Sequence, residues 1–153
     1  GKVGELCVRG PSVVKGYWNN PKATEETFVG GWLHTGDLGY MDEDGYVYVA
    51  DRIKDMIVSG GENIYCIEVE NAIMQHPAVL EVAVVGIPDP VMQEAVKAVI
   101  CLKPGTTATE EEIKEHCKKL IASYKKPRHI VFTGSLLPRN PGGKVIKAAL
   151  KDM

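Results

Sequence analysis

No stretch of this 153-residue sequence is apolar for long enough to cross a bilayer. The longest such run, around Val82 to Ile87, falls far short of the roughly 20 residues that a spanning helix needs. There is no charged-then-apolar leader either. The chain starts at Gly1, and Gly1 to Arg9 already has the pattern of a mid-protein strand, so we expect a piece of a larger cytoplasmic polypeptide. Net charge is only -2, which leaves no basic field to draw in nucleic acid and no polybasic patch to hold a membrane surface. Any phosphate must be gripped by local contacts. The four cysteines, Cys7, Cys66, Cys101 and Cys117, form no C-x-x-C pair and lie in apolar, patterned segments, so four reduced core thiols are expected rather than a disulfide framework. His76, His116 and His129 show no metal-ligand spacing and read as structural. No internal repeat or low-complexity segment occurs.

What is present is ordinary for a globular protein: 44% hydrophobic and 25% charged residues, in a chain long enough for one domain or two small ones. From Val3 to Arg9, Leu6 and Val8 alternate with Glu5, Cys7 and Arg9, a half-buried strand that Gly10-Pro11 ends. Asn20 suits the cap of a short helix with Pro21 at its first position. Trp32 to Tyr40 reads as extended, and Asp42 to Gly45 turns it into a strand over Tyr46 to Ala50. The first fifty residues thus predict a small β segment with one helical turn, expected to complete a barrel begun upstream.

After Arg52 helix and strand alternate. Ile57-Val58 leads into the Ser59-Gly60-Gly61 turn, and Ile67, Val69, Ala72 and Ile73 recur at helical spacing until Pro77. Val79 to Ile87 is a β-branched run whose expected partner is Ala95 to Leu102. Thr109 and Glu112 form a capping-box signature, with Ile113, Cys117, Leu120 and Ile121 as one apolar stripe. His129 to Phe132 predicts a short strand and Val145 to Leu150 a last helix. The fold class expected is α+β: a terminal β segment over 1–51, then a compact α+β domain over 52–153 with a small sheet and flanking helices.

Three segments concentrate side chains with ligand chemistry: W-L-H-T-G-D ending at Asp37, D-R-I-K-D-M-I-V-S-G-G-E-N from Asp51 to Asn63, and P-R-N-P-G-G-K ending at Lys144. The Asp37 carboxylate can accept both hydroxyls of a ribose, or it can simply satisfy turn amides. The planar fork of Arg52 suits a ribose oxygen or phosphate, or an ion pair with an acid such as Asp51 or Asp55. Ser59-Gly60-Gly61 offers a wall without β-carbons, or an ordinary turn. Tyr124, Lys125 and Lys126 put cations beside an aromatic ring, or complement a helix dipole. Lys54 and Lys144 each read, taken alone, as surface lysines.

Together, and in this order over essentially the whole chain, the motifs resemble the AMP-forming acyl-CoA synthetases of the adenylate-forming superfamily. The resemblance implies that Asp37 and Arg52 bind the nucleotide, that Lys54 marks a hinge near residues 52–54, and that Ser59, Gly60, Gly61, Tyr124 and Lys126 line the coenzyme A path. It implies Lys144 as the catalytic lysine, contacting the substrate carboxylate and the α-phosphate during adenylation. The implied cofactors are ATP, coenzyme A and Mg²⁺, with no Mg²⁺ ligands expected in this chain. The implied partners are an N-terminal domain carrying the phosphate loop, adenine site and acyl pocket, and a small carboxylic acid, expected to be fatty. Without that domain the fragment is expected to be inactive. An aryl or O-succinylbenzoate ligase and a carrier-protein adenylation domain share the same motifs. A non-catalytic module binding coenzyme A or a protein is the alternative of another class. Cys66-Ile67, Met92 and Gln93 depart from the commoner Pro-Ala, aromatic and Gly of such sequences, which bears on the coenzyme A path.

Overall fold

The computed structural model describes residues 1–153. The chain divides into two compact units, Gly1–Lys54 and Asp55–Met153.

In the first unit the ten-residue strand β3 (Trp32–Met41) is the spine. It pairs antiparallel with β1 (Gly4–Val8), with the short β2 (Phe28–Val29) and with β4 (Val47–Arg52). Helix α1 (Pro21–Thr27) precedes β2, and the Asn20 side chain accepts a hydrogen bond from the Ala23 N–H, as the Asn-Pro pair predicts. Neither hydrophobic core cluster lies in this unit. Met41, Val47, Tyr48 and Val49 of this sheet are 55%, 50%, 46% and 56% exposed, so its apolar residues are left largely uncovered within the unit.

The second unit is a five-stranded sheet. It contains β5 (Ile57–Ser59), β6 (Glu62–Ile64), β7 (Val79–Asp89), β8 (Gln93–Leu102) and β9 (His129–Thr133), with β8 in the middle. β7 runs antiparallel to β8 along its whole length, and β9 runs parallel to it. Every residue of β8 from Ala95 to Cys101 is buried, because both faces of the sheet are covered. On one face Val96, Ala98 and Ile100 pack with Val69 and Ile73 of α2 (Cys66–Met74) and Ile113 and Cys117 of α3 (Glu110–Lys118). On the other, Val99 packs with Leu137 and with Leu150 of α4 (Lys147–Leu150). Lys97 shares that second face and is only 5% exposed; its ammonium donates to the Lys151 carbonyl at 2.9 Å. The capping box of α3 is formed, with Thr109 Oγ1 accepting the Glu112 N–H at 3.2 Å and Glu112 Oε2 accepting the Thr109 N–H at 2.7 Å.

The architecture is the expected α+β arrangement, with five local corrections. Strand β6 stands between the Gly60-Gly61 turn and α2. β7 continues through Pro88 to Asp89, and α4 begins only at Lys147, since Val145 bridges Arg139 instead. Leu120 lies beyond the end of α3 and is 44% exposed. Cys7 is exposed, not a core thiol: Glu5 and Cys7 both turn to His34 on the neighbouring strand β3, whereas Cys66, Cys101 and Cys117 are buried.

Candidate functional site

The first cluster lies at the bend of β3. Gly36 has φ +72°, a conformation that glycine adopts without strain, and its carbonyl accepts the Ile53 N–H at 2.9 Å. Around it Thr35, Gly36, Arg52, Ile53 and Lys54 line a cleft of about 320 Å³. Asp37 and Arg52 face each other in the β3–β4 register, and Arg52 Nε donates to Asp37 Oδ1 at 2.9 Å. The Arg52 guanidinium therefore pairs with Asp37, while Asp51 Oδ1 accepts the Arg52 backbone N–H at 2.8 Å. Thr35 Oγ1 fixes the bend by donating to the Leu6 carbonyl at 2.8 Å and accepting the Asp37 N–H at 3.1 Å. Lys54 is exposed at the rim.

Beneath the bend, His34 Nδ1 donates to Glu5 Oε2 at 2.7 Å, and Glu5 Oε1 accepts the Gly36 N–H at 3.1 Å. The hydrogen bond from His34, aided by that amide, holds the Glu5 carboxyl below its ordinary range despite some desolvation. Cys7 Sγ lies 3.6 Å from the same imidazole nitrogen. Glu5, Cys7 and His34 are the one group of three metal-capable side chains that the fold brings together. A thiol, an imidazole and one carboxylate do not make the near-octahedral oxygen shell that Mg²⁺ demands.

The second cluster belongs to the other unit. Ser59, Met92, Ser123, Tyr124, Lys126 and Arg128 line a cleft of about 460 Å³. Gly60 and Gly61, at φ +60° and +86°, form the two-residue turn joining β5 to β6, and the Gly60 N–H donates to the Met92 carbonyl at 2.8 Å. A β-carbon on Gly60 would meet Met92 Cε at 2.4 Å. Backbone geometry alone thus favours glycine at both positions. The two lysines after Tyr124 part company: Lys125 Nζ bonds both oxygens of Glu68 at 2.7 Å, while Lys126 lines the cleft. Arg128 and Ser123 were not singled out from the sequence. Arg128 follows Pro127 directly after the two lysines, so the run of cations was the available signal; its ion partner Asp89, at 3.6 Å, is remote in sequence.

Lys144 closes a tight hairpin over residues 138–146. Its N–H donates to Asn140 Oδ1 at 3.0 Å and its carbonyl accepts the Asn140 N–H at 2.9 Å. Its side chain is exposed, and no acid pairs with its ammonium.

Residues 68–144, just over half of the chain, match the family model described as the AMP-binding enzyme C-terminal domain. A 3-[(3aS,4S,7aS)-7a-methyl-1,5-dioxo-octahydro-1H-inden-4-yl]propanoyl:CoA ligase of Rhodococcus jostii is 47% identical over 99% of this chain and 30% of its own length. A long-chain-fatty-acid–CoA ligase of Escherichia coli O157:H7 is 45% identical over 99% of this chain and 27% of its own. Among solved structures, the o-succinylbenzoate CoA synthetase of Bacillus subtilis, in complex with an acyl-adenylate intermediate, superposes with a TM-score of 0.92. It is 42% identical, over 99% of this chain and 31% of its own. The chain thus spans about 30% of the length of the relatives it matches.

Proposed function

This chain belongs to the AMP-binding enzyme C-terminal domain family, and on that premise we propose that it forms the C-terminal part of an AMP-forming acyl-CoA synthetase. The parent converts a carboxylic acid, fatty in our reading, with ATP to an acyl-adenylate and pyrophosphate, and then passes the acyl group to coenzyme A. The observation that carries this reading is Lys144: an exposed lysine without an acidic partner, held at the closing position of a hydrogen-bonded hairpin turn.

In adenylation a carboxylate attacks the α-phosphorus and pyrophosphate leaves, so negative charge collects around the α-phosphate. The Lys144 ammonium meets that charge in a site from which water is excluded. A preorganised donor of this kind is worth about 3–4 kcal/mol, or a hundred- to thousandfold in rate. Asp37 holds the ribose hydroxyls once Arg52 gives up its oxygen or shares it, and Arg52 keeps the developing charge nearby compensated. Lys54, at the end of the first unit, is the pivot on which the second unit changes from adenylation to thioester formation. The cleft of Ser59, Tyr124 and Lys126, with Arg128 as a further cation, takes coenzyme A: the cations face its phosphates and the ring stacks on its base. The Gly60-Gly61 turn leaves the pantetheine arm room. Mg²⁺ screens the ATP phosphates in such chemistry, and its ligands belong to polypeptide outside these residues.

The uncovered apolar residues of the first unit support a larger parent, because a single sheet layer cannot bury its own face. An aryl acid is the second reading, favoured by the 42% identity to an o-succinylbenzoate synthetase, close to the 45% shared with a fatty-acid ligase.

The test is Lys144→Ala in the longer protein. Acid-dependent ATP/pyrophosphate exchange should fall at least a hundredfold, whereas thioester formation from supplied acyl-adenylate should survive. Equal loss of both half-reactions would remove Lys144 from the adenylation step. Micromolar coenzyme A binding by the 153-residue chain alone, seen by calorimetry, would favour a free-standing binding module instead.

A further inference from the structure

The hairpin that carries Lys144 is closed by its own backbone. The Gly143 N–H donates to the Asn140 carbonyl at 2.9 Å, the Ile146 N–H to the Pro138 carbonyl at 2.8 Å, and Arg139 and Val145 form an antiparallel bridge. Gly143, at φ +79°, allows the tight return. Closure alone does not aim the hairpin, because an isolated two-stranded turn is marginal in water and can swing about its ends.

Aim comes from one carboxylate on the sheet. Glu81 is in β7, at the register shift between Val79 and Glu81, and its side chain is 15% exposed. One of its oxygens accepts the N–H of Leu137, itself 3% exposed in the core, and the other accepts from Arg139 Nη2. The opposite arm of the same guanidinium, Nη1, donates to the Gly143 carbonyl at 2.9 Å. A single planar fork therefore ties the residue before Lys144 to the central sheet, and Glu81 also fixes the point where the chain leaves the core for the loop. A lysine at position 139 could not reach both acceptors in fixed geometry.

We infer that Glu81 is a positioning residue for Lys144, acting through Arg139 and the Gly143 carbonyl to set where the Lys144 ammonium goes when it enters the adenylation site. The inference rests on the proposed adenylation role of Lys144. An error of about 1 Å in such a group lowers the rate roughly a hundredfold. The Glu81 side chain meets no substrate; its effect reaches the reaction only through the loop.

The experiment uses the full-length protein with Glu81→Gln, Arg139→Lys, Lys144→Ala and the Glu81→Gln/Lys144→Ala pair. Each is checked for an intact thermal transition, and Arg139→Lys keeps the question answerable should Glu81→Gln not fold. Glu81→Gln is expected to lower kcat of acid-dependent ATP/pyrophosphate exchange by about 10- to 100-fold, with the KM for ATP little changed and thioester formation from supplied acyl-adenylate within about twofold of wild type. Arg139→Lys should fall between wild type and Glu81→Gln. In the Lys144→Ala background Glu81→Gln should add no further loss, because the residue it positions is gone. Exchange unaffected by Glu81→Gln or Arg139→Lys, while Lys144→Ala abolishes it, overturns the role of Glu81 and leaves that of Lys144 standing. So does a loss that multiplies with Lys144→Ala, or one that strikes both half-reactions alike, since each marks a general structural defect. Exchange that survives Lys144→Ala overturns both readings.

Discussion

Arg52 and Asp37 hold each other, Nε to Oδ1 at 2.9 Å, from directly opposed positions on β4 and β3. Both residues predicted to meet a nucleotide are thus mutual partners in the free chain, and a ribose bound at Asp37 as proposed would compete with the guanidinium for the carboxylate. The pair is partly exposed, with side chains 47% and 34% accessible, so it adds no more than about 1 kcal/mol to folding. Asp37→Asn should leave the unfolding midpoint of this chain nearly unchanged. In the longer protein it should raise the KM for ATP by about ten- to a hundredfold, through loss of charge-assisted hydrogen bonds worth about 1.5–3 kcal/mol each. Unchanged ATP kinetics in Asp37→Asn would remove it from the nucleotide site.

The cysteines give a second prediction. Cys7 is exposed, whereas burial pushes the Cys117 thiol up to about 11, and Cys66 and Cys101 are enclosed in the core. Thiolate is the reactive species, so exposure and ionisation act in the same direction. Alkylation of the native chain near pH 8 should label Cys7 first, with the other three reacting only after denaturant is added. Mass spectrometry of the peptides checks the order, and early labelling of Cys117 would contradict the packing of α3.

Local grammar explains how much of this was legible. Thr109 and Glu112 announce α3 because a capping box is a fixed-spacing signal, and Asn20-Pro21 announces α1 in the same way. Alternation in β8 was readable but its meaning was not: both registers are apolar because both faces are covered, which a count along one strand cannot show. Three-residue β6 has too few positions to carry a period. At the candidate sites the residue types of Asp37, Arg52 and Lys144 were legible from motifs. Their partners were not, since Glu81 lies 58 residues from Arg139 and Glu68 lies 57 from Lys125. At Cys7 residue type misleads and position does not: the alternation of its strand sets it with Glu5 and Arg9, and it lies with Glu5 beside His34.

Acid should weaken the second unit in two separate steps. His76 packs edge-on against His116, ring centroids 5.3 Å apart, and its Nδ1 accepts the Ala78 N–H at 3.3 Å. Burial first, then repulsion from His116, lowers its pKa below the ordinary 6.5, against a smaller upward pull from Glu112. A group with a lowered folded pKa takes its proton in the unfolded chain first. Its stabilising contribution is therefore complete above about pH 6.5 and is lost as pH falls through the folded value. Further down, Asp89 and Glu112, held below the carboxylate range chiefly by backbone amides, repeat the pattern under about pH 4.5. His76→Asn keeps an acceptor for Ala78 but cannot titrate, so urea midpoints between pH 7 and 5 should fall less in the variant than in wild type. Parallel midpoints in the two proteins would assign the acid sensitivity elsewhere.

Gln93 is one of two non-glycine residues with positive φ, at +73°, and it stands where β5, β7 and β8 meet: it pairs with both Ser59 and Asp89. The turn before it is fixed by Asp89 Oδ1, which accepts the Val91 and Met92 N–H groups at 2.9 and 2.8 Å, so the backbone cannot relax out of the left-handed region without breaking them. A side chain in that region is strained by about 1–2 kcal/mol. Glycine removes the strain and returns about 0.5–1 kcal/mol through the greater freedom of the unfolded chain. Gln93→Gly should therefore be neutral to stabilising, by up to about 1 kcal/mol, and Gln93→Ala, which keeps the β-carbon, should not share the gain. Denaturant midpoints separate the two. The same change strips a side chain next to Met92 at the proposed coenzyme A cleft. In the longer protein, then, a lower KM for coenzyme A with unchanged ATP/pyrophosphate exchange is expected of Gln93→Gly. Stabilisation without any change in coenzyme A kinetics would confine Gln93 to a backbone role, and a clear loss of stability would show that its side chain makes a contact stronger than the strain it imposes.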